Sequence, residues 1–136
     1  MKEKVDYSKI KKALEASEKK AAELGIAVST AIVDQYGDLV GFSRMEGAIK
    51  ISPKFAISKA YTAGTIGMAT ADMAAYAGEG KPYQGMTDLF GGELTVIAGG
   101  LPVKDGNKLV GGVGVGGSSD VSQDVECAQA ALAVLS

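Results

Sequence analysis

The chain has 136 residues, of which 46 % are hydrophobic and 22 % charged, and its 14 Lys and Arg against 16 Asp and Glu leave a formal charge of -2. Such a length supports one core, and near-balanced charge without a long block of one sign argues against nucleic acid or anionic membrane as a partner, since both need clustered Lys and Arg. With no histidine anywhere, the sequence excludes Ser-His-Asp and Cys-His pairs, His-rich zinc sites and histidine-ligated haem, leaving carboxylates, Lys, Tyr and Cys127 for proton transfer.

The first dozen residues are polar and carry Lys2, Lys4, Lys9, Lys11 and Lys12 without the apolar stretch of a secretory signal, so a cytoplasmic location is expected. No apolar run approaches the roughly 18 residues that span a bilayer. From Ile10, the residues Ile10, Ala13, Leu14, Ser17, Ala21 and Leu24 recur at spacings that predict an amphipathic helix, with Asp6 or Ser8 to cap it and Gly25 to close it. Two β-like runs, 27–34 and 39–45, flank Gln35-Tyr36-Gly37-Asp38 and predict an antiparallel hairpin turned at Gly37.

Ser52-Pro53 reads as an N-cap and first-turn proline, opening a helix that runs to about Gly67. On it Ala56, Ala60, Ala63 and Gly67 form a stripe of small residues suited to close packing. Thr70 caps a short helix over 71–77. The segment 78–92, broken by Gly78, Gly80, Pro82 and Gly85, is expected to be an exposed loop or a lid that orders on ligand or partner. Residues 93–98 lean towards strand.

Runs at 101–104 and 107–115 flank Asp105-Gly106, a second hairpin signal. The closing segment places Val121, Val125, Ala128, Leu132 and Leu135 on one helical stripe, capped by Ser119, Asp120 or Ser122. Strands paired in hairpins favour an α+β fold, an antiparallel sheet with packed helices, over a doubly wound parallel sheet. No repeat or linker divides residues 1–136, so a single domain is expected.

The glycine-rich run from 111 to 117 contains Gly112-x-Gly114-x-x-Gly117, the spacing of a dinucleotide fingerprint. That motif needs a strand before it, a helix and strand after it and an acid about 20 residues on, whereas no acid follows Glu126 in this sequence. Alternation suits a strand better: Leu109, Val113 and Val115 take one face and Gly112, Gly114 and Gly116 the other, leaving a bare face that a helix, a subunit or a flat ligand approaches closely, with packing under the small-residue helix stripe favoured over a ligand floor.

Just beyond it, Gly117, Ser118 and Ser119 lead into a helix start that suits an anion, as does Ser52. Arg44 and Lys59 are the cations to pair with a carboxylate or phosphate, or with a carboxylate of the chain itself. Asp34, Lys59 and Tyr61 are the candidate groups for an enzyme acting on a small metabolite, an isomerase or lyase; turn capping explains Asp34 equally. Tyr61, Tyr76, Tyr83, Met45 and Cys127 are the remaining iron-ligand types, with Cys127 placed in an apolar helix as a core residue.

Three ordered segments, AIVDQYGDLVGFSRMEGA (31–48), SPKFAISKAYTA (52–63) and GGLPVKDGNKLVGGVGVGGSSDVSQD (99–124), together with the closing helix, resemble the GlcG and HbpS-like family, which includes the carboxy-terminal domain of PduO proteins. The resemblance covers nearly everything beyond Ala27. It implies a profilin-like α+β domain, often assembled into dimers, tetramers or octamers. Relatives include haem binders and proteins that accompany corrinoid, glycolate or diol metabolism; this chain offers no imidazole to a haem, and no residues are assigned to a metal. The resulting expectation is a cytoplasmic, oligomeric small-ligand-binding protein, with a site between Arg44, Lys59, the Gly99-Gly100 corner and Gly114, Gly116, Gly117, Ser118 and Ser119. A structural assembly subunit is the third reading.

Overall fold

A computed structural model describes residues 4–136. A single 3-10 turn, Tyr7–Lys9, is capped by Asp6, whose carboxylate accepts the Ser8 N–H. Helix α1 (Ile10–Leu24) follows and closes on Gly25 in the left-handed region at φ 74°. Strands β1 (Ser29–Asp34) and β2 (Leu39–Arg44) form the first hairpin, with Gly37 at φ 83° in its turn. Next come α2 (Ser52–Ile66), closed by Gly67 at φ 92°, and the short α3 (Thr70–Ala77). The second hairpin joins β3 (Gly100–Asp105) to β4 (Lys108–Gly116), and α4 (Val121–Leu135) ends the described structure.

The four strands make one antiparallel sheet in the order β2-β1-β4-β3, so the fold is α+β with hairpin pairing. Alternation then sends neighbouring β1 residues to opposite helical layers. Ile32 joins Val113 and Val115 beneath α1 and α4 in a core with Ile10, Ala13, Ala21, Cys127, Ala128 and Ala131. Ala31 and Val33 face the other way and meet Ala56 and Ala60 of α2. The predicted alanine stripe is therefore the face that α2 lays on the glycines of β4. A Cβ on Gly112 would run into the Ala60 carbonyl oxygen, and one on Gly114 into the Ala56 carbonyl oxygen.

Some local expectations are corrected. Residues 93–98 form no strand, because side chains take the hydrogen bonds that a ladder would use. Thr62 Oγ1 accepts the Thr95 N–H at 3.0 Å, Thr95 Oγ1 the Ile97 N–H, and the Glu93 carbonyl accepts from Ser58 Oγ at 2.8 Å. Ser52 is the first residue of α2 and not its cap; its hydroxyl bonds that of Ser29 at 2.8 Å inside the protein. Thr70 likewise caps nothing and accepts the Gly100 N–H at 2.9 Å.

The β3–β4 ladder slips between Val103 and Lys104. Such an irregularity changes which residues face the core: Val110 joins Val113 and Val115 there, while Leu109 lies where a Cβ on Gly67 would meet it. In α4 the buried positions are Asp124, Cys127, Ala128, Ala131 and Leu135, so the stripe is rotated from the predicted one and Val121 is exposed. Asp120 is the cap, accepting the Ser122 N–H at 3.0 Å. The 78–92 segment is irregular, with 3-10 turns at Met86–Asp88 and Phe90–Gly92, and Met86 anchors it against Met73 and Leu94.

Candidate functional site

Lys59 sits on the buried face of α2, yet its long stem carries the ammonium past the alanine stripe to the end of β4. There Nζ donates to the Val115 carbonyl at 2.8 Å and to Asp124 Oδ2 at 3.1 Å. Only 2 % of the Lys59 side chain and 1 % of Asp124 are exposed. Asp124 Oδ1 accepts the Ser118 N–H at 3.1 Å, so the carboxylate holds the loop into α4 as well. Burial pulls the Lys59 pKa down and pushes that of Asp124 up, while the attraction between the two opposes both movements.

The glycines named from sequence are the walls of this junction. A Cβ on Gly99, whose φ is +127°, would stand 2.8 Å from Lys59 Nζ, and one on Gly114 would stand 2.9 Å from Lys59 Cβ. Gly100 is held by Thr70, and Gly116 lies under Phe55, 2.7 Å from its Cβ if it carried one. Gly117, at φ +143°, brings the chain against Ala27 and Val28. Ser118 Oγ donates to Gln123 Oε1 at 2.6 Å, and Ser119 is exposed. Lys59, Gly99, Gly100, Gly114 and Ser118 thus meet, but around Asp124 and with the ammonium turned inward.

Arg44 stands apart from that group. It and Gly116 both oppose Ser29 from neighbouring strands, which separates them by about 10 Å across the sheet. Its Nη2 donates to the Ala48 carbonyl at 2.8 Å. Asp34 is a turn residue, with Oδ1 accepting the N–H groups of Tyr36 and Asp38 at 2.9 and 3.0 Å. Cys127 is buried in the main core, where burial pushes its thiol up to about 11. Among the described residues no three His, Cys, Asp or Glu side chains form a metal-ligand group, and no helix is long and apolar enough to cross a membrane.

The other side of α2 makes a space. Lys54, Ile57, Ser58 and Tyr61 wall an open cleft of about 720 Å³ edged by residues 36–38 of the first hairpin turn and by 91–93. That volume is in the range of small-molecule sites, roughly 300–1,000 Å³. The Tyr61 ring is fixed beneath the turn, since a Cβ on Gly37 would stand 2.7 Å from its Cε1, and it packs against the Met73, Met86 and Leu94 cluster. No described residue hydrogen-bonds its hydroxyl. Tyr36, by contrast, is 75 % exposed. The cleft joins apolar surface to a cation, Lys54, two carboxylates, Asp38 and Glu93, and two phenols.

Sequence reasoning found Tyr61 but not the cleft, and it reached Asp124 only as the last position of the family-like segment 99–124, without a role. The cleft unites segments that are distant in the chain, and only α2 periodicity hinted that positions 54, 57, 58 and 61 share a face. For Asp124 a signal existed: 124, 127, 128, 131 and 135 share helical spacing with small or apolar residues at every other place.

A family model described as haem degrading protein HbpS-like matches residues 5–133. An uncharacterised 15.0 kDa protein of the Citrobacter freundii dhaT-dhaS intergenic region is 33 % identical over 122 residues, covering 90 % of this chain and 85 % of that protein. The corrinoid adenosyltransferase PduO of Salmonella typhimurium is 31 % identical over 120 residues, which cover 88 % of this chain but only 35 % of PduO.

Among solved structures, protein ORFY of Klebsiella pneumoniae superposes with a TM-score of 0.93 at 28 % identity, covering 99 % of this chain and 92 % of that one. A PduOC–haem complex gives 0.91 at 27 % identity with coverage of 96 % and 94 %, and a double mutant of HbpS from Streptomyces reticuli gives 0.90 at 29 % with 100 % and 90 %. With its matched family model spanning nearly the whole chain and its sheet and helices superposing on HbpS, this protein belongs to the HbpS-like, or GlcG/HbpS-like, family.

Proposed function

We propose that this protein binds a small ligand of the tetrapyrrole class, a haem or a corrinoid, in the cleft between α2, the first hairpin turn and residues 91–93. The observation that carries the reading is the cleft itself: about 720 Å³, with a phenol that packing holds in place. Family membership supports the ligand class, because one relative is solved with haem and another is named for corrinoid adenosylation.

The residues present fit such a group in a particular way. Without histidine, the cleft offers oxygen: the Tyr61 phenol is the positioned candidate, tyrosinate being an established type of haem ligand. Lys54 is placed to meet a peripheral carboxylate, and Ile57 supplies apolar contact. A bound haem or corrinoid would bring its own metal chemistry; the chain's part is to hold and orient it. The Lys59 amine takes no part here, being paired inside the protein.

Titration with hemin and with cobalamin, followed by absorption and thermal shift, tests the reading. Wild type is expected to bind at least one of them, Ile57→Trp to lose binding by filling the cleft, and Tyr61→Phe to alter the metal spectrum. No binding of either, or unchanged binding by Ile57→Trp, would remove the cleft as the site.

We also propose a cytoplasmic homo-oligomer. Ile49, Ile51 and Phe55, all exposed before and at the start of α2, support a subunit contact. Light scattering giving a monomer at micromolar concentration would refute it.

A further inference from the structure

Residues 87–92 leave the body of the protein and return to it at one place. Met86 before them and Leu94 after them are buried in a single apolar cluster with Met73, so both ends of the segment are pinned. Its backbone hydrogen bonds are made close at hand: the Asp88 N–H donates to the Gly85 carbonyl at 3.0 Å, that of Leu89 to the Met86 carbonyl at 3.1 Å, and that of Gly92 to the Leu89 carbonyl at 2.9 Å. The returning limb is Gly91-Gly92, at φ 70° and 79°, and a Cβ on Gly91 would meet nothing within 4 Å. Two glycines in open space make a pivot, since each reaches φ values that other residues avoid.

The tip carried on that pivot is apolar, wet and strained. Leu89 is 52 % exposed and Phe90 68 %. Phe90 is also the one non-glycine residue at positive φ among the described residues, at 53°. There its Cβ crowds the following carbonyl, a strain that an aromatic residue avoids wherever the chain allows and that recurs where a site has a use for it. Gly91 and Gly92, the next two residues, already edge the open cleft, with Ile57 and Tyr61 on its α2 wall. The ring thus stands one residue from the cleft, and rotation of its own backbone towards negative φ relieves the strain while it redirects the side chain.

We propose that residues 87–92 are a flap that closes on an occupied cleft, with Phe90 leaving the left-handed region to lie, together with Leu89, over the side of the ligand that α2 does not cover. This rests on the reading that the cleft binds a ligand. An empty cleft offers the two side chains water in either position, whereas a flat apolar ligand offers them a surface. The ligand therefore interacts better with the closed state than with the open one, which is the condition for it to shift the balance between them.

Phe90→Gly tests this, because glycine adopts φ 53° without strain and removes the ring in one step. The variant is expected to melt within about 5 °C of wild type or above it, yet to release hemin or cobalamin, whichever wild type binds, at least about 10-fold faster. Amide exchange followed by mass spectrometry reads the movement itself: the bound probe is expected to slow exchange across 87–92 in wild type and not in Phe90→Gly. Release unchanged by Phe90→Gly, or exchange at 87–92 indifferent to the bound probe, would overturn the flap; if Ile57→Trp still abolishes binding, the cleft stands as the site. Binding of neither probe, or binding that Ile57→Trp leaves intact, would overturn flap and cleft together. A Phe90→Gly protein melting more than about 5 °C below wild type would also overturn the flap, by showing that Phe90 serves the fold.

Discussion

Lys59 Nζ and Asp124 Oδ2 meet at 3.1 Å between two helices that lie on opposite faces of the sheet, with 2 % and 1 % of their side chains exposed. Removing one partner strands the other, so Asp124→Asn and Lys59→Met are each expected to lose about 3–5 kcal/mol. Asp124→Asn should also acquire a pH dependence. Burial already lowers the Lys59 pKa from 10.5, and Asp124 is what holds it up. In the variant the folded state binds fewer protons than the unfolded between the further lowered pKa and 10.5, so its stability rises as pH climbs through that window. Urea midpoints of variant and wild type from pH 7 to about 9.5 check this; a constant difference between them would contradict it.

The glycine face of β4 gives an ordering. Gly112→Ala and Gly114→Ala drive a methyl into the Ala60 and Ala56 carbonyls, which move only with the helix, and each is expected to lose about 3 kcal/mol. Gly106→Ala meets open space and carries only the strain of φ +62°, about 1 kcal/mol. Chemical denaturation should rank the first two well below the third; equal losses would mean that the interface yields.

Cys127 is predicted to be chemically silent until the protein opens. Its buried thiol is pushed from 9.0 up to about 11, so the folded state favours the protonated form. The resulting stability is fully present below pH 9 and falls as pH rises to about 11, by up to ~3 kcal/mol. A disulfide reagent should react at the rate of unfolding at pH 8. Cys127→Ala should lose less stability than wild type between pH 9 and 11, and parallel alkaline curves would refute the assignment.

At the corner between α3 and β3, Thr70 is predicted to matter through its hydroxyl. Thr70→Val keeps the shape but leaves the buried Gly100 N–H without its acceptor, an expected loss of 1–3 kcal/mol that Thr70→Ser restores. Faster amide exchange at Gly100 in the valine variant, and not in the serine one, would locate the effect. Equal melting of the valine and serine variants would exclude it.

Much of the fold is legible because its signals are local. Gly37 and Gly106 mark the two hairpin turns, Gly25 and Gly67 close the helices before them, and spacing alone outlines α1, α2 and α4. These features depend on backbone conformations that only a few residue types favour, or on a helical repeat visible in any dozen residues. Residues 93–98 look like strand for the same local reason, and fail to be one because Ser58 and Thr62, more than 30 residues away, take their hydrogen bonds.

By itself the sequence determined the helices, the hairpins, the bare glycine face and the family they resemble, since each rests on short-range spacing or on residues that stand next to one another. Tertiary structure alone decided that Lys59 directs its charge to Asp124, and that Tyr61 faces a cleft shared with residues 36–38 and 91–93. A lysine looks the same in sequence whether its stem runs to solvent or through a gap between glycines. Only the packing of distant segments removes the water that would otherwise surround its charge.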